Sequence, residues 1–172
     1  MVVVYSEAPI SVLTDLQDFL LNNGADHRAP WDVEIKLYRA NQASFKNEDK
    51  QRMLFTVWTS REKERVWILP RESGTPMSLP IMQILDTKLQ SLWVTRQVFK
   101  GSGNTYICYD GSAIRVTNIF VQGSYKGLML DADPGKQSRK LAEQIHTVFD
   151  IPKPKWDLDE VGQAREYLSV YR

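Results

Sequence analysis

Asp32-x-Glu34-x-Lys36 is the row of side chains in this sequence best placed to do chemistry. On a strand, alternate residues share a face, so these three charges line up about 7 Å apart.

The row resembles the acidic-x-acidic-x-Lys row of triphosphate tunnel enzymes, and that resemblance implies carboxylates that hold a divalent metal while lysine and arginine grip phosphate inside an eight-stranded barrel. Arg96, Lys100, Arg115 and Lys126 are further basic groups on later strands. The same alternation also describes a solvated strand face, with Trp31, Val33, Ile35 and Leu37 turned to a core. Polar-out alternation is the default for antiparallel sheet. A metal site also needs carboxylates on neighbouring strands, and the later strands offer basic groups without them. The solvated face is the leading reading, and a triphosphate-tunnel-like phosphate-handling barrel enzyme using Asp32, Glu34 and Lys36 is the alternative.

Other reactive residues have plainer explanations. Gly101-Ser102-Gly103-Asn104 follows Lys100, but a phosphate cradle needs a helix N-terminus behind it, and another strand follows here. A hairpin turn is expected instead. His27 and His146 each lack the nucleophile, orienting partner or further ligands that a base or metal site requires. Cys108 lies within a strand run and reads as a small buried hydrophobe. As the single cysteine it excludes an internal disulfide and suits a reducing compartment. No metal, cofactor or catalytic residue is assigned.

Five tryptophans, Trp31, Trp58, Trp67, Trp93 and Trp156, are generous for 172 residues. Core packing is the expected role of most, yet Trp and Arg also anchor protein interfaces. Trp93 and Trp156 are the interface candidates among them, with Arg96, Gln97 and Lys100 beside Trp93. Arg115, Asn118 and Lys126 are polar groups in otherwise apolar strands. Each cross-links strands from inside or faces another chain, and the sequence leaves both open.

The elements that must position these residues follow from periodicity. Four apolar runs, Leu92 to Phe99, Thr105 to Tyr109, Ala113 to Val121 and Tyr125 to Leu130, break at glycine turns and predict a four-stranded antiparallel meander. Asp110-Gly111 is the sharpest of those turns. Val2 to Tyr5, Trp31 to Ala40, Arg52 to Thr59 and Arg65 to Leu69 predict four more strands. Val12, Leu13, Leu16, Phe19 and Leu20 predict a helix capped by Ser11 and stopped at Asn22-Asn23-Gly24. A second helix is expected over Ile81 to Leu89, a third from Asp133-Pro134 with Asp as its cap, and a last one from Asp157. Asn41 to Lys50 reads as a polar loop, and Pro70 to Pro80 as a surface connection. About eight antiparallel strands approach the number at which a sheet closes on itself. The expected fold is α+β, mainly antiparallel β: a β-barrel flanked by helices at the N-terminus, middle and C-terminus. One barrel domain over 1–172 is expected, with the helical segment 134–172 packed on it.

Composition narrows the function. Twenty-two basic against 21 acidic residues give a formal charge of +1, which argues against a broad nucleic-acid footprint. No stretch approaches the roughly 20 apolar residues of a membrane span. Met1 to Tyr5 reads as a strand, without the basic leader of a signal peptide. These features point to a soluble intracellular protein.

Four blocks in order, Pro30 to Arg39, Leu92 to Gly101, Asp110 to Phe120 and Tyr125 to Leu130, resemble the subunit 20 family of the Mediator head module. The resemblance runs from the first strand to about residue 131 and weakens in the final helices. It implies a barrel flanked by helices and a non-enzymatic, nuclear role in regulating RNA polymerase II transcription. It also implies pairing with Mediator subunit 18 as a heterodimer, and attachment through a C-terminal helix of subunit 8 bound chiefly to subunit 18. RNA polymerase II would then be met through the head module. Trp93, Arg96, Gln97, Lys100, Arg115, Asn118 and Trp156 are the expected partner-facing residues.

Overall fold

Eight strands and four helices are laid out in a computed structural model, which describes residues 1–44, 52–71 and 73–171. The strands are β1 (Val2–Ser6), β2 (Asp26–Ala40), β3 (Met53–Thr59), β4 (Arg65–Leu69), β5 (Thr75–Ser78), β6 (Trp93–Ile107), β7 (Ala113–Val121) and β8 (Ser124–Ala132). The helices are α1 (Ser11–Asn22), α2 (Pro80–Asp86), α3 (Lys136–Phe149) and α4 (Glu160–Glu166), the last continuing as a 3-10 turn over Tyr167–Tyr171. The hydrogen-bonded order is β1-β8-β7-β6-β2-β3-β4-β5. The α+β class and the eight-stranded antiparallel sheet are as expected. The order ends at β1 and β5, so closure into a barrel is not part of this sheet.

The chain divides into two compact units, Met1–Asp32 with Gly101–Arg172, and Val33–Lys100. In the first unit, β8 lies between β1 and β7, with Val3 opposite Leu130 and Val116 opposite that same leucine. Those side chains share a face, and α1 and α3 cover it with Leu16, Leu20, Leu141, Ala142 and Ile145. Burying each large aliphatic side chain there is worth about 1.5–3 kcal/mol, which outweighs the modest propensity of either helix alone. Asp131 belongs to the opposite face, where it accepts a hydrogen bond from the Tyr167 hydroxyl at 3.0 Å. α4 and its 3-10 extension therefore lie across the sheet from α1 and α3, with Ala164 and Val170 buried.

In the second unit, β3 pairs with β2 and β4, and β4 with β5. Its helix α2 seats Leu85 against Tyr38 and Leu54, with Ile68, Leu89 and Trp93 around them.

Five local expectations are corrected. The runs 92–99 and 105–109 are one strand, β6, which passes straight through Gly101-Ser102-Gly103. A Cβ on Gly103 would stand 2.0 Å from the Val116 carbonyl oxygen, so this glycine serves a close backbone approach and not a turn. Pro70 to Pro80 holds an extra strand, β5, whose four residues are all exposed. It lacks the apolar alternation by which a strand is recognised. α3 begins at Lys136 after an extended Gly135, because Asp133 is drawn away to Arg115. α4 begins at Glu160, and its cap is Asp159, which accepts from the Gly162 amide at 2.7 Å. Ser11 is already inside α1, and Ile10 before it makes no side-chain cap. Most of the loop expected over 41–50 lies outside the described residues.

Candidate functional site

The charged row on β2 is neither bare nor arranged around a metal. Glu34 and Lys36 are half-buried, and Tyr38, next in the alternation, is fully buried. Asp32 closes the first unit and is also half-buried. The solvated strand face expected here is therefore replaced by a covered one, and α2 provides the cover. With Leu85 anchored on Tyr38, the next residue of the helix, Asp86, comes down onto the row. Lys36 Nζ donates to Asp86 Oδ2 at 2.7 Å, and the Tyr38 hydroxyl donates to Oδ1 at 2.9 Å. Thr95 on β6 donates to Oδ1 at 3.4 Å. Glu34 holds Lys36 at 3.5 Å and Lys100 at 3.6 Å through its two oxygens.

Electrostatics follow from this geometry. Burial pulls the Lys36 ammonium down, but the Asp86 hydrogen bond and the charges of Glu34 and Asp86 outweigh it, so its pKa is raised. Burial, the Asp86 hydrogen bond and the Asp86 charge together push the Tyr38 phenol well above its ordinary value. Both groups are held in their protonated, donating forms at neutral pH. Among the described residues, no three His, Cys, Asp or Glu side chains stand together as metal ligands.

The expected partner-facing residues fall into three settings. Trp93 packs against the Tyr38–Leu54–Leu85 cluster, and Gln97 is half-buried, while Arg96 and Lys100 are exposed. Trp156 is half-buried against the core of the first unit, its ring beneath the Arg139 guanidinium at 4.9 Å. Arg115 and Asn118 lie on β7. Arg115 is buried, reaching Asp131 at 3.3 Å and both oxygens of Asp133 at 2.9 and 3.3 Å. Of the two roles left open for Arg115, it performs the internal cross-link. Burial lowers its pKa, and the hydrogen bond to Asp133 and the Asp131 charge more than restore it. Asn118 is half-buried beside the exposed Phe120, and Lys126 is half-buried on β8.

The remaining singled-out residues are structural. His27 pairs through Nε2 with Asn104 at 2.9 Å and meets Tyr106 edge-on. His146 bonds through Nδ1 to the Ile151 carbonyl, closing the bend after α3. Cys108 is buried, and that burial raises its thiol pKa. Sequence reasoning missed Asp86, Thr95 and Tyr167, and gave Asp133 the role of a helix cap in place of its pairing with Arg115. None carries a local signal, since each works through a residue 9 to 50 positions away.

Comparison with known proteins places the chain. A family model described as the TATA-binding related factor (TRF) of subunit 20 of Mediator complex matches residues 1–153. Mediator of RNA polymerase II transcription subunit 20 from Saccharomyces cerevisiae is 26% identical over 153 residues, covering 76% of this chain and 71% of that protein. The protein of the same description from Candida glabrata is 26% identical over 158 residues, covering 82% and 73%. Among solved structures, HpAC1 from Hippeastrum, a protein with a dominant triphosphatase activity, aligns with a TM-score of 0.50 at 10% identity. That alignment covers 98% of this chain and 95% of the other, and at such identity it speaks for a shared fold alone.

Proposed function

The chain belongs to the Mediator subunit 20 family, and on that premise we propose that it works as a non-enzymatic subunit of the Mediator head module, paired with subunit 18. The family match over residues 1–153 carries this reading. Membership implies contact with other Mediator subunits. The finer assignment is the subunit 18 heterodimer, held to the module by the C-terminal helix of subunit 8, which binds mainly subunit 18. That lobe meets RNA polymerase II through the head module, in the nucleus. The closed barrel and the single domain over 1–172 belong to the same reading, supported by eight antiparallel strands.

The work is done by surface and not by chemistry. A lasting contact of this type buries on the order of 2,000 Å² with an apolar centre. The first half of β6 and the residue before it suit one, since Leu92, Arg96 and Lys100 are exposed and Gln97 is half-buried. On β7, exposed Phe120 adjoins Asn118. Trp93, Arg115 and Trp156 contribute from behind the surface, each packed or paired within its own unit. The phosphate-handling enzyme is not favoured as the function, because its metal-holding carboxylates are lacking among the described residues: Glu34 and Asp86 are paired with lysine, tyrosine and threonine donors. A metal-dependent triphosphatase assay checks it directly.

Co-expression with subunit 18 followed by size-exclusion chromatography tests the pairing. Co-elution at one-to-one stoichiometry, with poor solubility of the chain alone, is expected. A chain that is monodisperse alone and ignores subunit 18 overturns the reading. Pull-down from nuclear extract extends the test to the remaining partners.

A further inference from the structure

We propose that the donors converging on Asp86 form a phosphate-type oxyanion site, which the chain keeps filled with its own carboxylate. Lys36 and Tyr38 from β2 and Thr95 from β6 supply an ammonium and two hydroxyls, all aimed at the two oxygens of one side chain. A second ammonium, Lys100, stands at the rim through its 3.6 Å contact with Glu34. Strands supply every donor, and α2 supplies only the acceptor. Asp86 thus occupies the position of a ligand, delivered by a seven-residue helix that Met82 and Leu85 pin down.

The charge balance identifies the class of ligand. Lys36 and Lys100 face Glu34 and Asp86, two positive charges against two negative, so withdrawal of Asp86 leaves an excess of one positive charge. Glu34 keeps both ammonium groups in place when that happens. An incoming carboxylate would offer no more than Asp86 does, and would compete against a group tethered at high effective concentration. A phosphate-type anion brings a further charge and additional acceptor oxygens, which is what displacement requires. The Asp86 side chain is 35% exposed, so exchange proceeds from solvent without parting the strands. No covalent step is involved, and the proposal does not rest on membership of Mediator.

Inorganic pyrophosphate is the probe, titrated calorimetrically at fixed ionic strength so that bulk screening is constant. The proteins are the wild type, Asp86→Ala, Asp86→Asn and Lys36→Met/Asp86→Ala, each checked for fold by circular dichroism. Both single variants are expected to bind at least ten-fold more tightly than the wild type, and the double variant to lose the gain. Asp86→Asn preserves side-chain volume and carries the test if the alanine variant does not fold. In the wild type, millimolar pyrophosphate is expected to move the amide NMR signals of Lys36 and Thr95 saturably. Asp86 variants that bind no better than wild type, a double variant that keeps the gain, or unmoved Lys36 and Thr95 signals would each overturn the proposal.

Discussion

Asp110 Oδ2 accepts the backbone N–H of Gln137 at 2.8 Å, joining the β6–β7 turn to the first turn of α3 across 27 residues. The turn also braces itself, since Asp110 Oδ1 accepts from the Ser112 amide at 3.0 Å and from its hydroxyl at 2.5 Å. Ser112 Oγ then accepts from the Ser138 amide at 3.3 Å. Two orphan donors of a helix N-terminus are satisfied by a hairpin and not by the preceding chain.

The Asp110 carboxyl accordingly sits below the usual aspartate range, first because the Gln137 amide favours its charged form and then because Ser112 does. A depressed folded pKa means stability that is complete above the unfolded value and lost as pH falls through the folded one. Acid should therefore loosen the start of α3 at pH values beneath about 3.9, the ordinary aspartate value. In Asp110→Asn that acid-dependent loosening should be missing, with faster amide exchange over 136–141 already at neutral pH. Hydrogen exchange followed by mass spectrometry reads both, and equal exchange in the two proteins at pH 7 would refute the bracing role.

Gly103 makes a sharper demand. A Cβ there would meet Val116 O at 2.0 Å and Thr117 Cα at 2.6 Å, both of them backbone atoms. Gly103→Ala should cost about 1–3 kcal/mol, the usual range for overpacking, because the neighbouring strand must move. A matched substitution at Gly111, where nothing lies within 4 Å but φ is +80°, should cost through backbone strain instead. Urea denaturation separates them, since only Gly103→Ala should also shift amide signals on β7.

These glycines show how far the sequence could be read. Eight strands were legible, but the total rests on two opposite misreadings. Glycines 101 and 103 divided β6 on paper, since a glycine for close approach and a glycine for turning look alike in one dimension. β5, exposed throughout and containing Pro76, offered no alternation to detect. Helix faces were readable because α1 and α3 repeat their apolar residues every three or four positions. The charged row was visible as Asp32, Glu34 and Lys36, yet its meaning depended on Asp86. That residue is brought over by the packing of Leu85, which no spacing rule anticipates. Membership of the family was legible in four blocks, and these fall on β2, β6, β7 with the turn before it, and β8.

Arg115 and Arg96 should separate fold from interface. Arg115 is 7% exposed and serves two carboxylates, so Arg115→Met leaves Asp131 and Asp133 without their cation. Removing one member of such a buried group costs about 3–5 kcal/mol. Arg96 is exposed on β6, and Arg96→Glu should change stability by less than about 0.5 kcal/mol. If the first half of β6 meets subunit 18, that same reversal should weaken co-purification with it. Chemical denaturation and a pull-down on both variants check the pair of expectations, and a stable Arg115→Met would contradict the cross-link.

Tyr167 tests how far the last helix depends on the hydrogen bond to Asp131 and how far on its packing. Its hydroxyl donates to Asp131 Oδ2 at 3.0 Å, the oxygen that also takes Arg115 at 3.3 Å. Tyr167→Phe keeps the ring and removes only that donor, so the loss should be about 0.5–1.5 kcal/mol, the net worth of one hydrogen bond. Asp131 retains Arg115 and is not stranded, which keeps the cost at the low end. Val170→Ala deletes buried methyl groups from a fully enclosed side chain on the same 3-10 turn, and large-to-small changes of that type leave a cavity as well. The valine change should therefore be the more damaging of the two. Limited proteolysis in the stretch 152–159, compared between the variants, reads the release of the helix directly. Faster cleavage of Tyr167→Phe than of Val170→Ala would reverse the order and make the hydrogen bond, not the packing, the main tether.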